Sequence, residues 1–138
     1  MNNFRKLIEK FFLAFTRFFP AEFSKNITLK FLKLLYHLRL IKFFSVQQDS
    51  NSSGVVLGNL FFKNRIGIAG GLDKNAEYFH IFGSLGFGFI EVGTITLEPQ
   101  KGNPKPRIFR FPHDKTLVNS LGFNNSGSVK ALANIKKN

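Results

Sequence analysis

The 138-residue chain has no cysteine and no tryptophan, and only two tyrosines, one methionine and five prolines. The missing cysteine excludes disulfides and thiolate metal sites and leaves the redox compartment unmarked. Long apolar runs are also missing. A bilayer-spanning helix needs about 20 mostly apolar residues, whereas here a charge interrupts every few positions. No secretory leader is legible, because Arg17 breaks the apolar stretch and no small-residue cleavage site follows it. Acidic residues are scarce: 8 Asp and Glu face 20 Lys and Arg, a net charge of +12. That balance favours anionic partners, whether phosphate ligands, nucleic acid or an anionic membrane face. Phenylalanine is abundant instead, with 19 copies. It adds apolar surface without a polar handle. Heavy use of Lys, Asn, Ile and Phe together is also what an AT-rich genome produces.

Ten of the 19 phenylalanines precede Val46, among nine basic residues and two acidic ones, Glu9 and Glu22. Phe4, Leu7, Ile8, Phe11, Phe12, Phe15, Phe18 and Phe19 recur at helical spacing. Arg5, Lys6, Glu9, Lys10, Thr16 and Arg17 are expected on the opposite face, and Pro20 ends the helix. A second helix is expected over 27–44, with Asn26 as its N-cap and a narrow polar stripe of Lys30, Lys33 and His37. Two such helices form a hairpin that either lies in a membrane interface or packs on its own protein. His37 is expected to be solvated.

The polar stretch 47–54 reads as a linker. Beyond it the periodicity changes. Residues 55–62 read as a β-hairpin with a Gly58-Asn59 turn. A short strand at 66–69, a helix over 76–85 and a β-rich run at 87–94 form a βαβ unit, hence parallel strands and an α/β fold. Pro104, Pro106 and Pro112 bracket a loop containing 108–111, and 128–136 reads as a last helix. No internal repeat is visible.

Gly70 and Gly71 stand where the first of those parallel strands ends, followed by Leu72, Asp73 and Lys74. Glycines there let a ligand approach the backbone, and a helix starting just after favours an anion. The spacing is neither that of a P-loop nor the dinucleotide Gly-x-Gly-x-x-Gly pattern. Taken as glycine chemistry alone, it is a weak signal.

Three longer segments say more. IGIAGGLDKNAE, GFGFIEVGTITLEPQKGNPKPRIFRF and LVNSLGFNN follow one another between 66 and 125. They closely resemble, in order and spacing, the signature segments of class 2 (quinone-dependent) dihydroorotate dehydrogenases. The two N-terminal helices match that class by pattern. The resemblance implies oxidation of dihydroorotate to orotate in pyrimidine synthesis, with FMN as cofactor and ubiquinone as acceptor. It implies an N-terminal helical hairpin (1–46) that docks on the cytoplasmic face of a membrane, a linker (47–54) and the first two βα units of an (α/β)8 TIM barrel (55–138). Position by position, it assigns Gly70, Gly71, Leu72, Asp73, Lys74 and Thr94 to FMN. Lys74, Asn119, Ser120, Leu121, Gly122 and Phe123 fall on the orotate site. Gly70 replaces the family's usual alanine, and Ser120 stands where a longer residue, commonly arginine, is found. His80 and His113 match no catalytic position and are expected to be structural or exposed.

A barrel of this kind takes about 250 residues, so the chain is expected to be a fragment, the product of a broken gene, or one part of a split enzyme completed by a C-terminal partner. The general base, a serine in this class, is expected beyond Asn138. The competing reading is a basic amphipathic membrane-binding module carrying an enzyme remnant. Nucleic-acid binding fits least, because the charge lies on apolar-faced helices and no nucleic-acid motif is present.

Overall fold

The structure, a computed structural model, describes residues 3–45 and 54–137. The expected linker therefore lies outside the described residues except for Gly54, as do the side chains of Phe4, Arg5, Lys6 and Glu9.

Helix α1 spans Asn3–Arg17. Its burial departs from the expected pattern. Thr16, assigned to the polar face, is 8 % exposed, while Phe11 is 73 % and Phe18 88 % exposed. The reason is the tight crossing to the next helix. The Ser24 hydroxyl donates to the Thr16 carbonyl at 2.6 Å, and the Thr16 hydroxyl turns back onto the Leu13 carbonyl at 2.9 Å. Small polar residues therefore fill the crossing, and most of the phenylalanine stripe stays outside.

Helix α2 spans Ala21–His37 and starts directly after Pro20, six positions before the expected start. Proline's fixed φ and missing N–H suit the residue that precedes a first turn, and Ser24 N–H closes that turn on the Pro20 carbonyl at 2.9 Å. Asn26 is thus an interior residue and not the N-cap. The helix also ends before the expected 44. Arg39 adopts a left-handed conformation (φ 60°) and Leu40 N–H reaches back to the Leu35 carbonyl at 2.9 Å. This is the closure that glycine commonly provides at a helix end. A single 3₁₀ turn, Ile41–Phe44, follows.

The β elements come in pairs. Strands β1 (Val55–Leu57) and β2 (Leu60–Phe62) form the expected antiparallel hairpin, Leu57 facing Leu60 across the Gly58-Asn59 turn. Strands β3 (Gly67–Ile68) and β4 (Phe89–Ile90) pair in parallel, Gly67 with Phe89 and Ile68 with Ile90, around helix α3 (Phe79–Leu85). This is the expected βαβ unit of an α/β fold. Helix α3 starts three residues later than expected, for a reason that lies in Asp73. The proline-rich stretch is not merely a loop. Strands β5 (Ile108–Phe111) and β6 (Thr116–Asn119) form a second antiparallel hairpin. Helix α4 spans Gly127–Lys137.

The core lies between the N-terminal helices and the βαβ unit. Leu35 and Ile41 meet Ile81 of α3, with Leu32, Tyr36, Phe44, Tyr78 and Leu85 around them. His80 packs edge-on against Tyr36 with centroids 4.9 Å apart, a structural role; His37 and His113 are exposed. Two arginines fasten the hairpin to β5. Arg107 gives Glu22 three donor contacts, Nη2 to Oε1 at 2.7 Å and Nε to both oxygens at 3.2 Å. Its Nη1 donates to the Lys101 carbonyl at 2.9 Å and the Asn103 carbonyl at 3.0 Å. Arg110 Nη1 donates to the Phe19 carbonyl at 2.9 Å and the Thr16 carbonyl at 3.3 Å, beside the carboxyl end of α1.

The hydrogen bonds from Arg107 hold the Glu22 carboxyl below the ordinary carboxylate value, against the opposing effect of burial. A carboxylate with a depressed folded value stabilises the fold fully above its unfolded value, and that contribution fades as pH falls through the folded one. The hairpin is therefore expected to loosen on acidification below about pH 4.5. Glu22→Gln strands a buried guanidinium and should cost about 3 kcal/mol. Limited proteolysis against pH checks both: cleavage within residues 3–45 accelerates in acid for the natural chain, and is fast at neutral pH for the variant.

Candidate functional site

The site begins where β3 ends. Gly71 has φ +101°, a conformation that side chains with a Cβ rarely adopt, and open space where a Cβ would stand. Its N–H donates to the Gly93 carbonyl at 2.6 Å, and Gly93 N–H donates to the Asp73 carbonyl at 3.0 Å. The loop after β3 and the segment after β4 are thus laced together beyond their strands. Asp73 is fully buried. Its Oδ1 accepts from Glu77 N–H at 2.9 Å and its Oδ2 from Tyr78 N–H at 2.8 Å. Those bonds satisfy a buried carboxylate and hold 73–78 as a folded loop, which delays α3 to Phe79. The expected glycine loop running straight into a helix is absent.

Two cavities flank this loop. One, of about 480 Å³, is largely apolar and lies under α2, with Leu29, Leu32, Gly71, Leu72, Leu117 and Asn119 among its lining. The other, of about 380 Å³, is polar and takes Lys74 from the loop, Lys25 from α2 and Arg107 from the segment before β5. Leu72 lines both. Burial, with the Arg107 charge second, pushes the Lys74 ammonium below its ordinary value, Glu22 opposing.

The expected residues fall into three groups. Gly71, Leu72, Asn119 and Leu121 share the apolar cavity, and Leu72, Asp73 and Lys74 share the polar one. Gly70 and Thr94 line neither cavity; both are exposed beside the joined strand ends, and Thr94 has no hydrogen bond among the described residues. Ser120, Gly122 and Phe123 also line neither. Ser120 N–H donates to the Arg107 carbonyl at 3.0 Å, its own carbonyl accepts from Asn103 Nδ2 at 2.8 Å, and Phe123 is 64 % exposed. Lys25, Glu22, Arg107 and Asn124 had no signal in the local sequence as site residues, because tertiary contact alone brings them to the cavity wall. Asn124 places a buried Oδ1 there without a partner.

The residues suit a flat, anionic cofactor and a small anion. Gly71 leaves the loop open to close approach, Lys74 is a cation with no ion pair among the described residues, and the Asn119 amide nitrogen and Thr94 hydroxyl remain to donate.

Residues 54–138 match the family described as Dihydroorotate dehydrogenase. The chain belongs to that family. A quinone-type dihydroorotate dehydrogenase of Neisseria meningitidis is 44 % identical over 85 % of the chain, and that of Methylibium petroleiphilum 54 % over 66 %. The chain spans 34 % and 26 % of their lengths. Among solved structures, the Eimeria tenella enzyme crystallised with ferulenol superposes with a TM-score of 0.68 at 36 % identity, over 85 % of this chain and 30 % of that one. The ligand-free form of the same enzyme gives a TM-score of 0.61 at 37 % identity, over 78 % of this chain and 31 % of that one. The family is flavin-dependent in general.

The loop geometry sets an order of tolerance. Asp73→Ala removes the acceptor for two backbone N–H groups and is expected to cost about 2 kcal/mol. Gly71→Ala forces a Cβ into a left-handed position, at about 1–3 kcal/mol. Gly70→Ala should be neutral within about 0.5 kcal/mol, because its Cβ would meet only the end of the Glu91 side chain. Urea unfolding should show Asp73→Ala and Gly71→Ala both clearly destabilised, with Gly70→Ala indistinguishable from the natural chain.

Proposed function

We propose that the chain forms the flavin-side and substrate-anion part of a quinone-dependent dihydroorotate dehydrogenase, in which dihydroorotate is oxidised to orotate. The observation that carries this reading is the family match over 54–138 combined with the convergence of Gly71, Leu72 and Asn119 on one cavity beside Lys74. In it, Gly70, Gly71, Leu72, Asp73 and Thr94 hold FMN, Asp73 through its backbone because its carboxylate is already committed. Lys74 serves both cofactor and substrate, pairing the orotate carboxylate and favouring negative charge on the neighbouring ring. Asn119 bonds the amide-like edge of orotate, and Ser120, Leu121, Gly122 and Phe123 shape the same end of the site. What FMN supplies when bound is acceptance of a hydride and passage of the electrons to ubiquinone. The apolar cavity under α2 is the side from which a quinone would approach.

The same reading makes 55–138 the first two βα units of an (α/β)8 barrel, and a complementary C-terminal segment the source of the remaining strands and of the general base. Residues 1–46 would hold the assembly on a membrane surface from the cytoplasmic side, 47–54 serving as linker. The exposed Leu7, Phe11, Phe15 and Phe18 support it, as does the lack, among the described residues, of any helix long and apolar enough to cross a membrane. That apolar stripe also favours the second reading, a membrane-binding module with an enzyme remnant.

Two measurements separate the readings. The 138-residue chain alone is expected to lose FMN on gel filtration. Co-expressed with the C-terminal two-thirds of the Neisseria relative, it should yield a yellow, flavin-retaining complex; a colourless complex, where the whole relative is yellow, removes the enzyme reading. Flotation on liposomes tests the other part. The chain should rise with anionic vesicles and less with neutral ones, and a chain that stays at the bottom with both ends the membrane assignment.

A further inference from the structure

The polar cavity carries more charge than the assigned residues explain. Five cations line it, namely Lys25, Lys74, Lys101, Lys105 and Arg107, against the three carboxylates of Glu22, Asp73 and Glu77. The carboxylates are engaged. Glu22 is held by Arg107 and stands 3.9 Å from Lys105, Asp73 accepts two backbone N–H groups, and Glu77 accepts from Asn75 at 3.4 Å. Lys101 and Lys105 are exposed and screened by solvent. Lys25 and Lys74 differ: both are partly buried, and neither has a hydrogen bond or ion pair among the described residues. They come from separate elements to the same cavity, one from the second turn of α2 and the other from the loop after β3.

We propose that Lys25 is an anion-binding residue, and that the N-terminal hairpin thereby supplies a second cation, beside Lys74, to one small carboxylate or phosphate ligand. The physical argument is compensation. Two like charges drawn partly out of water into one cavity are costly, and a single oxyanion between them relieves both at once. Each ammonium is pushed below its ordinary value, Lys25 by burial first and Lys74 by burial first, with Arg107 acting on both and Lys105 on Lys25; Glu22 opposes in each case. The Lys74 charge adds to the lowering of Lys25. An arriving anion should reverse these shifts, because the state that binds it best is the doubly protonated one. The cavity volume of about 380 Å³ admits a ring-sized carboxylate or a phosphate. If the ligand is orotate, the inference rests on the reading proposed above; the two-lysine site itself does not need it.

The test is a lysine titration by NMR on the full 138-residue chain with ¹³Cε-labelled lysine, run in chloride, inorganic phosphate and orotate at matched ionic strength. In chloride, Lys25 and Lys74 should titrate below 10.5. Orotate or phosphate should raise both, and Lys25→Gln should weaken the anion that does so by about tenfold or more. Lys101→Gln, at an exposed position on the same rim, should change affinity little. A response to orotate alone assigns a carboxylate ligand, and an equal response to phosphate assigns a general oxyanion site; both sustain the proposal. A Lys25 that titrates at the ordinary value in all three solutions, or responds to anions no more than Lys101, overturns it. Neither result touches the flavin-retention experiment, so loss of this site leaves the enzyme reading standing.

Discussion

The Arg107 guanidinium is the joint between the two parts of this chain. It is buried, and a buried guanidinium must place its donors or it destabilises whatever holds it. Two of its nitrogens face Glu22 in the first turn of α2, and the third caps the carbonyls of Lys101 and Asn103. One side chain thereby fixes the azimuth of α2 and the course of the loop that leads into β5. Much follows from that choice. With Glu22 turned inward, Lys25, three residues on, shares its face of the helix and lines the same polar cavity as Lys74, and Leu29, one turn further, lines both cavities. The Arg110 contacts to Thr16 and Phe19 then set the end of α1 against the same hairpin.

Local chemistry was legible where it stayed local. The β1–β2 turn has a two-residue Gly-Asn signature, and the parallel pairing of β3 with β4 follows from strand, helix and strand in about thirty residues. What escaped was decided at a distance. Strand β6 carries no alternation because it is exposed along its whole length, and Pro112 directly after β5 reads as loop. The end of α2 is marked by Arg39 in a conformation that glycine usually signals, so the pattern of apolar residues ran on to Phe44. At the proposed site, the family resemblance singles out the glycine loop, Lys74 and Asn119; Gly71 and Asn119 line the apolar cavity and Lys74 the polar one. Asp73 is different: its neighbourhood was legible, but its use as a loop organiser depends on backbone N–H groups four and five residues on. Lys25 was invisible, because nothing in a lysine on an amphipathic helix says which wall it will face.

Helix α1 shows how a correct period can be read with the wrong polarity. Its apolar spacing is genuine, yet among its described side chains the one buried most deeply is Thr16, and several of the phenylalanines face out. Helices that cross closely need small residues at the crossing, and there the Ser24 hydroxyl serves the Thr16 carbonyl while the Thr16 hydroxyl turns back onto Leu13. The large side chains displaced from the crossing have little protein to cover them; Phe12, stacked on Phe31 at 5.2 Å, is an exception. A stripe this apolar, left exposed and flanked by basic residues, is the surface that an interfacial helix requires, which is the physical content of the membrane assignment.

The two cavities give the proposed chemistry a division of labour. Their walls share Lys25, Leu29 and Leu72, and the loop after β3 gives Gly71 to the largely apolar cavity and Asp73 and Lys74 to the polar one. On the Lys74 side, water and fixed cations suit an anion. On the Asn119 side, Leu32, Leu117 and Leu121 suit a molecule that partitions from lipid. An enzyme that takes electrons from a carboxylate and gives them to a membrane quinone needs such a separation, since a single pocket cannot be both hydrated and oily. In the proposed reading, four residues of the loop after β3 would provide it. The backbone stays open at Gly71, the apolar wall begins at Leu72, Asp73 locks the turn from beneath, and Lys74 emerges on the far side.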